Sequence, residues 1–375
     1  MTAADRARAL SIALAVSCLS LPSLFAAPLG AQTTGQITGL DAVARPAAAG
    51  GSVMSFMLAA RSRAVPVDGT TAARVYGGRP AQPGAWPAQV ALLAELPPDP
   101  GKVGAQSEGQ ADAPQGPGYG QFCGGSIIAR QWILTAAHCV VGQDGTLADP
   151  AKLRIQTGAT RLGAGDLRPV VQIIAHENYD PNLLDNDIAL IKLAEPIGQT
   201  SGPVAATPVL RPVDPMPQGD AVVAGWGYMQ DDKMPMDLME TDIGVLPNDT
   251  CNRGMAEQTK RDFGAFLMGY GQSNRIPMDK LEQAYDILVS NLGDSLTDNM
   301  ICAGVASGER TSCNGDSGGP LMMKAADGGW VQVGIVSWGR IPLNSNQRCG
   351  HAELYGVYTR VSNYFDWIGS KLRNN

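Results

Sequence analysis

From Val75 onward the chain is built of short β-branched apolar runs, four to seven residues long, punctuated by glycine and proline. Trp132–Thr135, Val170–Ile174, Ile188–Leu193, Ala221–Ala224 and Val331–Ser337 are the clearest of them. Forty-five glycines and 26 prolines supply turns at a density that suits many short strands better than a helical bundle. The pattern predicts an antiparallel all-β architecture of sandwich or barrel type. With 375 residues, 44% hydrophobic and 17% charged, the chain can bury a sizeable core as one large domain or two modest ones.

The N-terminal part reads differently. Arg6 and Arg8 open a basic start, an apolar run follows from Ala9 to Ala27, and small residues stand at Gly30 and Ala31. That order predicts a signal peptide over 1–31 and a secreted protein, extracellular or periplasmic. A lipid anchor at Cys18 is the competing reading, disfavoured by the short apolar stretch before it and the nearby Arg8. No other segment is long and apolar enough to span a membrane. Residues 32–74, rich in Ala, Gly, Thr and Ser, fit a linker or a pro-segment. Export implies an oxidising environment, and once Cys18 is removed six cysteines remain, an even number.

Charge excludes one class of partner. The net charge is −7, and residues 1–74 carry six of the 28 basic and three of the 35 acidic side chains, so the remainder stands at −10. Phosphate binding needs a basic footprint, so nucleic acid is not expected.

Three segments read as excursions from the strand pattern. Leu96–Gln121 is polar and rich in Pro, Gly and Gln, which predicts an exposed loop. Asn252–Asn299 contains Met278, Leu281, Tyr285 and Leu288 at helical steps, with Asp279 as an N-cap candidate. The third excursion is Arg340–Arg348. Tyr364, Phe365, Trp367, Ile368 and Leu372 have helical spacing and predict a C-terminal helix.

Hydrolysing a peptide bond at neutral pH needs a nucleophile, a base that titrates near the working pH, and a group that orients the base. Only three histidines are present. His351 lies in a polar stretch near Cys349, His176 in a polar turn, and His138 at the end of the apolar run Leu134-Thr135-Ala136-Ala137-His138-Cys139. Ser317 sits within Cys313-Asn314-Gly315-Asp316-Ser317-Gly318-Gly319-Pro320, where glycines let the N–H groups of Gly315 and Ser317 converge as an oxyanion hole requires. Asp-Ser-Gly-Gly alone would equally suit an ordinary surface turn. Asp185 and Asp187 both precede the apolar run Ile188–Leu193, and either could orient a histidine.

Taken together and in order, these segments resemble the trypsin/chymotrypsin family of serine proteases. The resemblance rests on Cys123-Gly124-Gly125-Ser126, Leu134 to Cys139, Asp187-Ile188-Ala189-Leu190, Gly225-Trp226-Gly227, Gly315 to Pro320 and Ser337-Trp338-Gly339, and runs from about Val75 to the C-terminus. The order His…Asp…Ser differs from that of subtilisins and α/β-hydrolases, and Gly315-Asp316-Ser317-Gly318-Gly319 only partly mimics an esterase elbow. A protease-like binding scaffold, the other rival, usually lacks a triad member, and none is missing here.

The resemblance implies two antiparallel Greek-key β-barrels with a C-terminal helix. The first barrel would run from about 75 to 196, the second from about 197 to 367, within a protease domain spanning 75–375. It implies His138, Asp187 and Ser317 as the catalytic triad, Gly315 and Ser317 as the oxyanion hole, and Asp185 as a surface residue. It also implies disulfides Cys123–Cys139, Cys251–Cys302 and Cys313–Cys349. Closing the first, with a separation of 16 residues, stabilises by about 3 kcal/mol in the chain-entropy model. Protein or peptide substrates follow, with an activating protease and a protein inhibitor as candidate partners and neither cofactor nor metal.

Arg74-Val75-Tyr76-Gly77-Gly78 resembles the family's activation junction, where cleavage after Arg74 would free the Val75 amine to pair with Asp316. The specificity pocket would be formed by Thr311, Ser312, Ser337, Trp338, Gly339 and Gly356. Thr311 stands where trypsin has the aspartate that selects Arg and Lys, which favours apolar or aromatic residues. Glu353 and the Arg340–Arg348 loop are the sequence's alternative source of Arg/Lys preference.

Overall fold

The computed structural model describes residues 76–96, 118–198, 200, 202–213 and 216–375. The expected signal peptide, the pro-segment, Cys18, the Arg74–Val75 junction and most of the polar segment after Leu96 lie outside the described residues.

The strands are β1 (Arg79–Pro80), β2 (Gln89–Glu95), β3 (Tyr119–Ala129), β4 (Trp132–Thr135), β5 (Leu153–Thr157), β6 (Asp166–Ala175), β7 (Ala189–Leu193), β8 (Gly219–Gly225) and β9 (Met239–Leu246). Two helices follow, α1 (Asn248–Asn274) and α2 (Met278–Val289), then β10 (Met300–Gly304), β11 (Pro320–Lys324), β12 (Trp330–Trp338), β13 (Gly356–Arg360) and α3 (Phe365–Asn374). β2-β3-β4-β7-β6-β5 closes into one six-stranded antiparallel barrel. β8-β9-β10-β13-β12-β11 forms the second, closed by the pairing of β8 with both β9 and β11. Closure leaves neither barrel with a long free edge. β1 precedes the first barrel in sequence yet pairs with β9 of the second.

Alternation along each strand sends branched apolar residues inward. Leu92, Ile127, Ile133, Ile155, Ile191 and Leu193 fill the first barrel. Val223, Ile243, Val245, Ile301, Leu321, Val333 and Tyr358 fill the second. A third cluster joins the two halves: Leu134, Ile188 and Leu190 meet Ile335, Val361, Tyr364 and Ile368. The C-terminal helix therefore packs back onto first-barrel residues, with the Trp367 indole N–H donating to Glu177 at 2.8 Å.

Two segments differ from their sequence reading. Tyr119, Gly120 and Gln121 belong to β3, pairing with Glu95, Ala94 and Leu93, although their composition reads as loop. In the 252–299 excursion the Met278–Val289 helix is present, but Pro277 holds its N-cap position, and Asp279 lies in the first turn. Of the four residues at helical spacing only Leu281 is buried. α1, 27 residues long, carries no apolar stripe that would announce it, and tertiary contacts hold it instead.

Candidate active site

His138 enters the site because β4 ends at Thr135 and two small, fully buried alanines allow a tight 3-10 turn over Ala137–Cys139. The Cys123–Cys139 disulfide ties that turn to β3. Cys251–Cys302 and Cys313–Cys349 are the other two disulfides.

Asp187 is reached through a loop in which Leu184 and Asn186 adopt left-handed backbone conformations, φ 53° and 54°. Asparagine tolerates that region, whereas leucine is strained there by about 1–3 kcal/mol, and burial of its side chain beside Trp338 and Tyr355 holds it. Asp187 is wholly buried. One carboxylate oxygen accepts the His138 backbone N–H at 2.8 Å. The other lies 2.7 Å from His138 Nδ1 and accepts the Ser337 hydroxyl at 2.5 Å. Burial pushes this carboxyl up, but the His138 charge and these three donors outweigh it and hold it below the usual carboxylate range. Thr359 Oγ1 donates to the Asp187 carbonyl at 2.7 Å. Asp185 is half-buried and not the expected surface residue: Thr297 and Asn299 donate to its carboxylate at 2.8 and 3.2 Å.

Ser337 faces Asp187 because a β-bulge interrupts the β12–β13 ladder between Val336 and Trp338. Bulges re-aim side chains in this way and are common beside functional sites. The sequence places Ser337 only in the pocket wall. Its role as a donor to Asp187 arises from the bulge.

Ser317 lies in the turn between the Cys313–Cys349 disulfide and β11. Gly315 and Gly318 take φ +100° and +79°. A Cβ at Gly318 would stand 2.2 Å from Thr135 Oγ1 and 2.5 Å from the Gly124 carbonyl, so this turn is open to glycine alone. The Ser317 carbonyl accepts from the Gly124 N–H at 2.7 Å, which anchors the turn to the first barrel. Gln121 Nε2 donates to the Gly315 carbonyl at 2.8 Å, a contact across 194 residues that no local pattern signals. Among the described residues, no acceptor takes the N–H of Gly315 or of Ser317.

Asp316 is wholly buried and points away from the cleft. It accepts from the N–H groups of Gly227 and Cys313 at 2.7 and 2.8 Å. Desolvation outweighs these two bonds and pushes its carboxyl up to about 6. Gly225 and Gly227 leave room for it: a Cβ on either would lie 2.1 or 2.6 Å from its carboxylate oxygens. Close by, the buried Tyr76 offers its carbonyl to the Thr311 N–H at 3.2 Å.

One cavity of about 330 Å³ gathers these groups. His138, Ser317 and Gly315 line it together with Thr311, Ser312, Ser337, Trp338, Gly339 and Gly356. Thr311 is buried at 5% exposure, and Ser312 Oγ lies 3.1 Å from the Tyr358 hydroxyl. A Cβ at Gly339 would meet nothing within 4 Å, so this wall is open. Arg340 and Arg348 are the cationic side chains lining the cavity; among the described residues no carboxylate lines it. Glu353 is exposed, at φ 61°, and does not line the cavity. His138 also gathers with Cys123 and Cys139, but their sulfurs are bonded to each other and offer no thiolate to a metal.

The Trypsin family model matches residues 75–368. The chain is 35% identical over 257 residues to Trypsin Blo t 3 of Blomia tropicalis, covering 67% of this chain and 77% of that one. It is 30% identical to transmembrane protease serine 11G of Mus musculus, over 80% of this chain and 55% of the relative. It is 31% identical to mannan-binding lectin serine protease 1 of Homo sapiens, over 79% of this chain and 35% of the relative. Apart from the Blomia trypsin, the chain thus spans about half or less of these relatives.

Proposed function

Because the chain belongs to the trypsin family, whose members are serine endopeptidases, we propose that it cleaves proteins or peptides through an acyl-enzyme formed on Ser317. The observation that carries this reading is the buried Asp187 carboxylate. It binds the His138 ring and backbone together, while Ser317 lines the same cavity. In this mechanism His138 takes the Ser317 proton as the hydroxyl attacks the carbonyl, then returns it to the leaving amine. Asp187 holds Nδ1 protonated, so that Nε2 is the nitrogen that exchanges the proton, and it stabilises the imidazolium that forms. The N–H groups of Gly315 and Ser317 receive the developing oxyanion, and the Gln121 bond to the Gly315 carbonyl fixes the peptide plane beside them.

The reading includes a secreted precursor, with a signal peptide at 1–31 and a pro-segment at 32–74 removed by cleavage after Arg74. The new Val75 amine then pairs with Asp316. This is supported by a buried carboxyl that has backbone donors but no cationic side chain against it among the described residues. It is also supported by the docking of Tyr76 on Thr311, one residue beyond the junction.

Substrate preference in this reading is for a large apolar or aromatic residue before the cut bond. Thr311 at the buried base, an open wall at Gly339 and the lack of a lining carboxylate among the described residues favour it over Arg or Lys. Arg74 is then cut by another protease. Treatment with a fluorophosphonate is expected to attach one phosphonyl group to Ser317, read by mass spectrometry of the tryptic peptide. Ser317→Ala and His138→Ala should abolish the adduct. No adduct on Ser317 in the Arg74-cleaved wild-type protein, or one that forms equally in His138→Ala, would overturn the reading.

A further inference from the structure

The helical pair α1–α2 interrupts the second barrel between β9 and β10, and its contacts lead to the cavity wall. The first turns of α1 are fixed. Cys251 is bonded to Cys302, Met255 packs in one cluster with Trp338 and Tyr355, and Gly254 approaches the Glu353 carbonyl so closely that a Cβ would stand 2.1 Å from it. Asp262 lies eleven residues beyond Cys251, about 16 Å further along the axis. There its Oδ2 accepts Arg340 Nη2 at 3.0 Å, and its Oδ1 accepts the Leu343 N–H at 2.9 Å and Gln258 Nε2 at 2.7 Å. Arg340 Nη1 donates to Thr259 Oγ1 at 2.5 Å. The Arg340 and Asp262 side chains are 9% and 13% exposed, so this ion pair is largely removed from water.

Arg340 and Ile341 line the cavity in one run with Ser337, Trp338 and Gly339. Ser337 touches Asp187, and Arg340 follows three residues later, at most about 10 Å farther along the chain at about 3.3 Å per extended residue. Among the described residues, residues 340–344 make no hydrogen bond to any element other than α1. Thr259 and Asp262 of α1 therefore supply the hydrogen bonds that tie this outer wall to a helix, beside the loop's own turn bond from the Ser345 N–H to the Pro342 carbonyl.

We propose that Asp262 is a positioning residue for extended substrates: through Arg340 and the Leu343 N–H it holds the outer wall of the cleft where peptide residues beyond the first pocket are bound. This role rests on the peptidase reading given above. It separates two kinds of substrate. An ester of a single blocked amino acid fills only the inner pocket and does not reach Arg340, whereas a tetrapeptide amide does.

The test compares Asp262→Ala with the wild-type enzyme, cleaved at Arg74, on an N-acetyl amino-acid ester and on a tetrapeptide amide ending in the same residue. A displacement of about 1 Å at a binding wall costs on the order of 100-fold. That loss is expected in kcat/KM for the tetrapeptide, mostly through KM, with ester turnover unchanged. Asp262→Asn, which keeps an acceptor for Leu343, should lose less. If Asp262→Ala does not fold, Asp262→Asn alone is read, with the same pattern at a smaller size. Equal losses on ester and tetrapeptide, or no loss on either, would overturn the proposal. Absence of Ser317-dependent turnover of either substrate by the wild-type enzyme would instead overturn the peptidase reading, and this role with it.

Discussion

Cleavage after Arg74 is expected to stabilise the fold in a pH-dependent way, and Asp316 sets the size of the effect. Its carboxyl is raised from 3.8 to about 6 by burial. At 1.36 kcal/mol per pH unit, the ionised form costs the uncleaved fold about 3 kcal/mol. Because the folded value lies above the unfolded one, the penalty is absent below about pH 3.8, grows between about 4 and 6, and is complete at neutral pH. A Val75 ammonium beside Asp316 would offset it. Urea unfolding of the Arg74-cleaved protein and of an uncleavable Arg74→Gln chain measures the difference. The gap should be about 3 kcal/mol at pH 7.5 and narrow to about 1 kcal/mol at pH 4.5. A gap that is the same at both pH values, or that widens toward acid, would contradict a pairing of the Val75 amine with Asp316.

Three further outcomes follow from the site. Ser337→Ala removes a donor to a buried carboxylate, so stability at pH 7 should fall by about 1.5–3 kcal/mol. Asp187 supplies stability above the unfolded carboxyl value and loses it as pH falls through its depressed folded value, so the variant should unfold at higher pH in an acid titration. Gly318→Ala places a Cβ 2.2 Å from Thr135 Oγ1 at φ +79° and should lower stability by at least about 2 kcal/mol in a denaturant titration. Thr311→Asp puts a carboxylate at the base of the pocket and should raise the kcat/KM ratio of Arg to Phe peptides by at least tenfold, about 1.4 kcal/mol.

The parts of the site legible in the sequence are those whose chemistry sits in a short, glycine-constrained run. Gly315 to Pro320 spells out a turn that no bulkier backbone can adopt, and Leu134 to Cys139 marks a strand that ends in a tight turn. Local chemistry could not separate Asp185 from Asp187. Folding does so by giving one carboxylate Thr297 and Asn299 and the other His138 and Ser337. The Gln121 bond to Gly315 and the Asp262 pair with Arg340 join residues 194 and 78 positions apart, and neither leaves a periodic trace. α1 was illegible for a related reason. Its glycines weaken helix propensity, yet Gly254 and Gly271 are small where the Glu353 carbonyl and Leu281 pack closely. β3 begins within a loop-like composition because its partner strand β2 sets the register.

The most direct test of the account is a cleavage-site profile: the Arg74-cleaved protein acting on a complex peptide mixture, read by mass spectrometry beside Ser317→Ala. The expected result is cuts after Phe, Tyr, Leu or Met that vanish in the variant. Cuts that persist in Ser317→Ala, or no cuts by the wild-type enzyme, would contradict the assignment of Ser317 as nucleophile. Cuts confined to Arg or Lys would leave the mechanism standing and contradict the role given to Thr311.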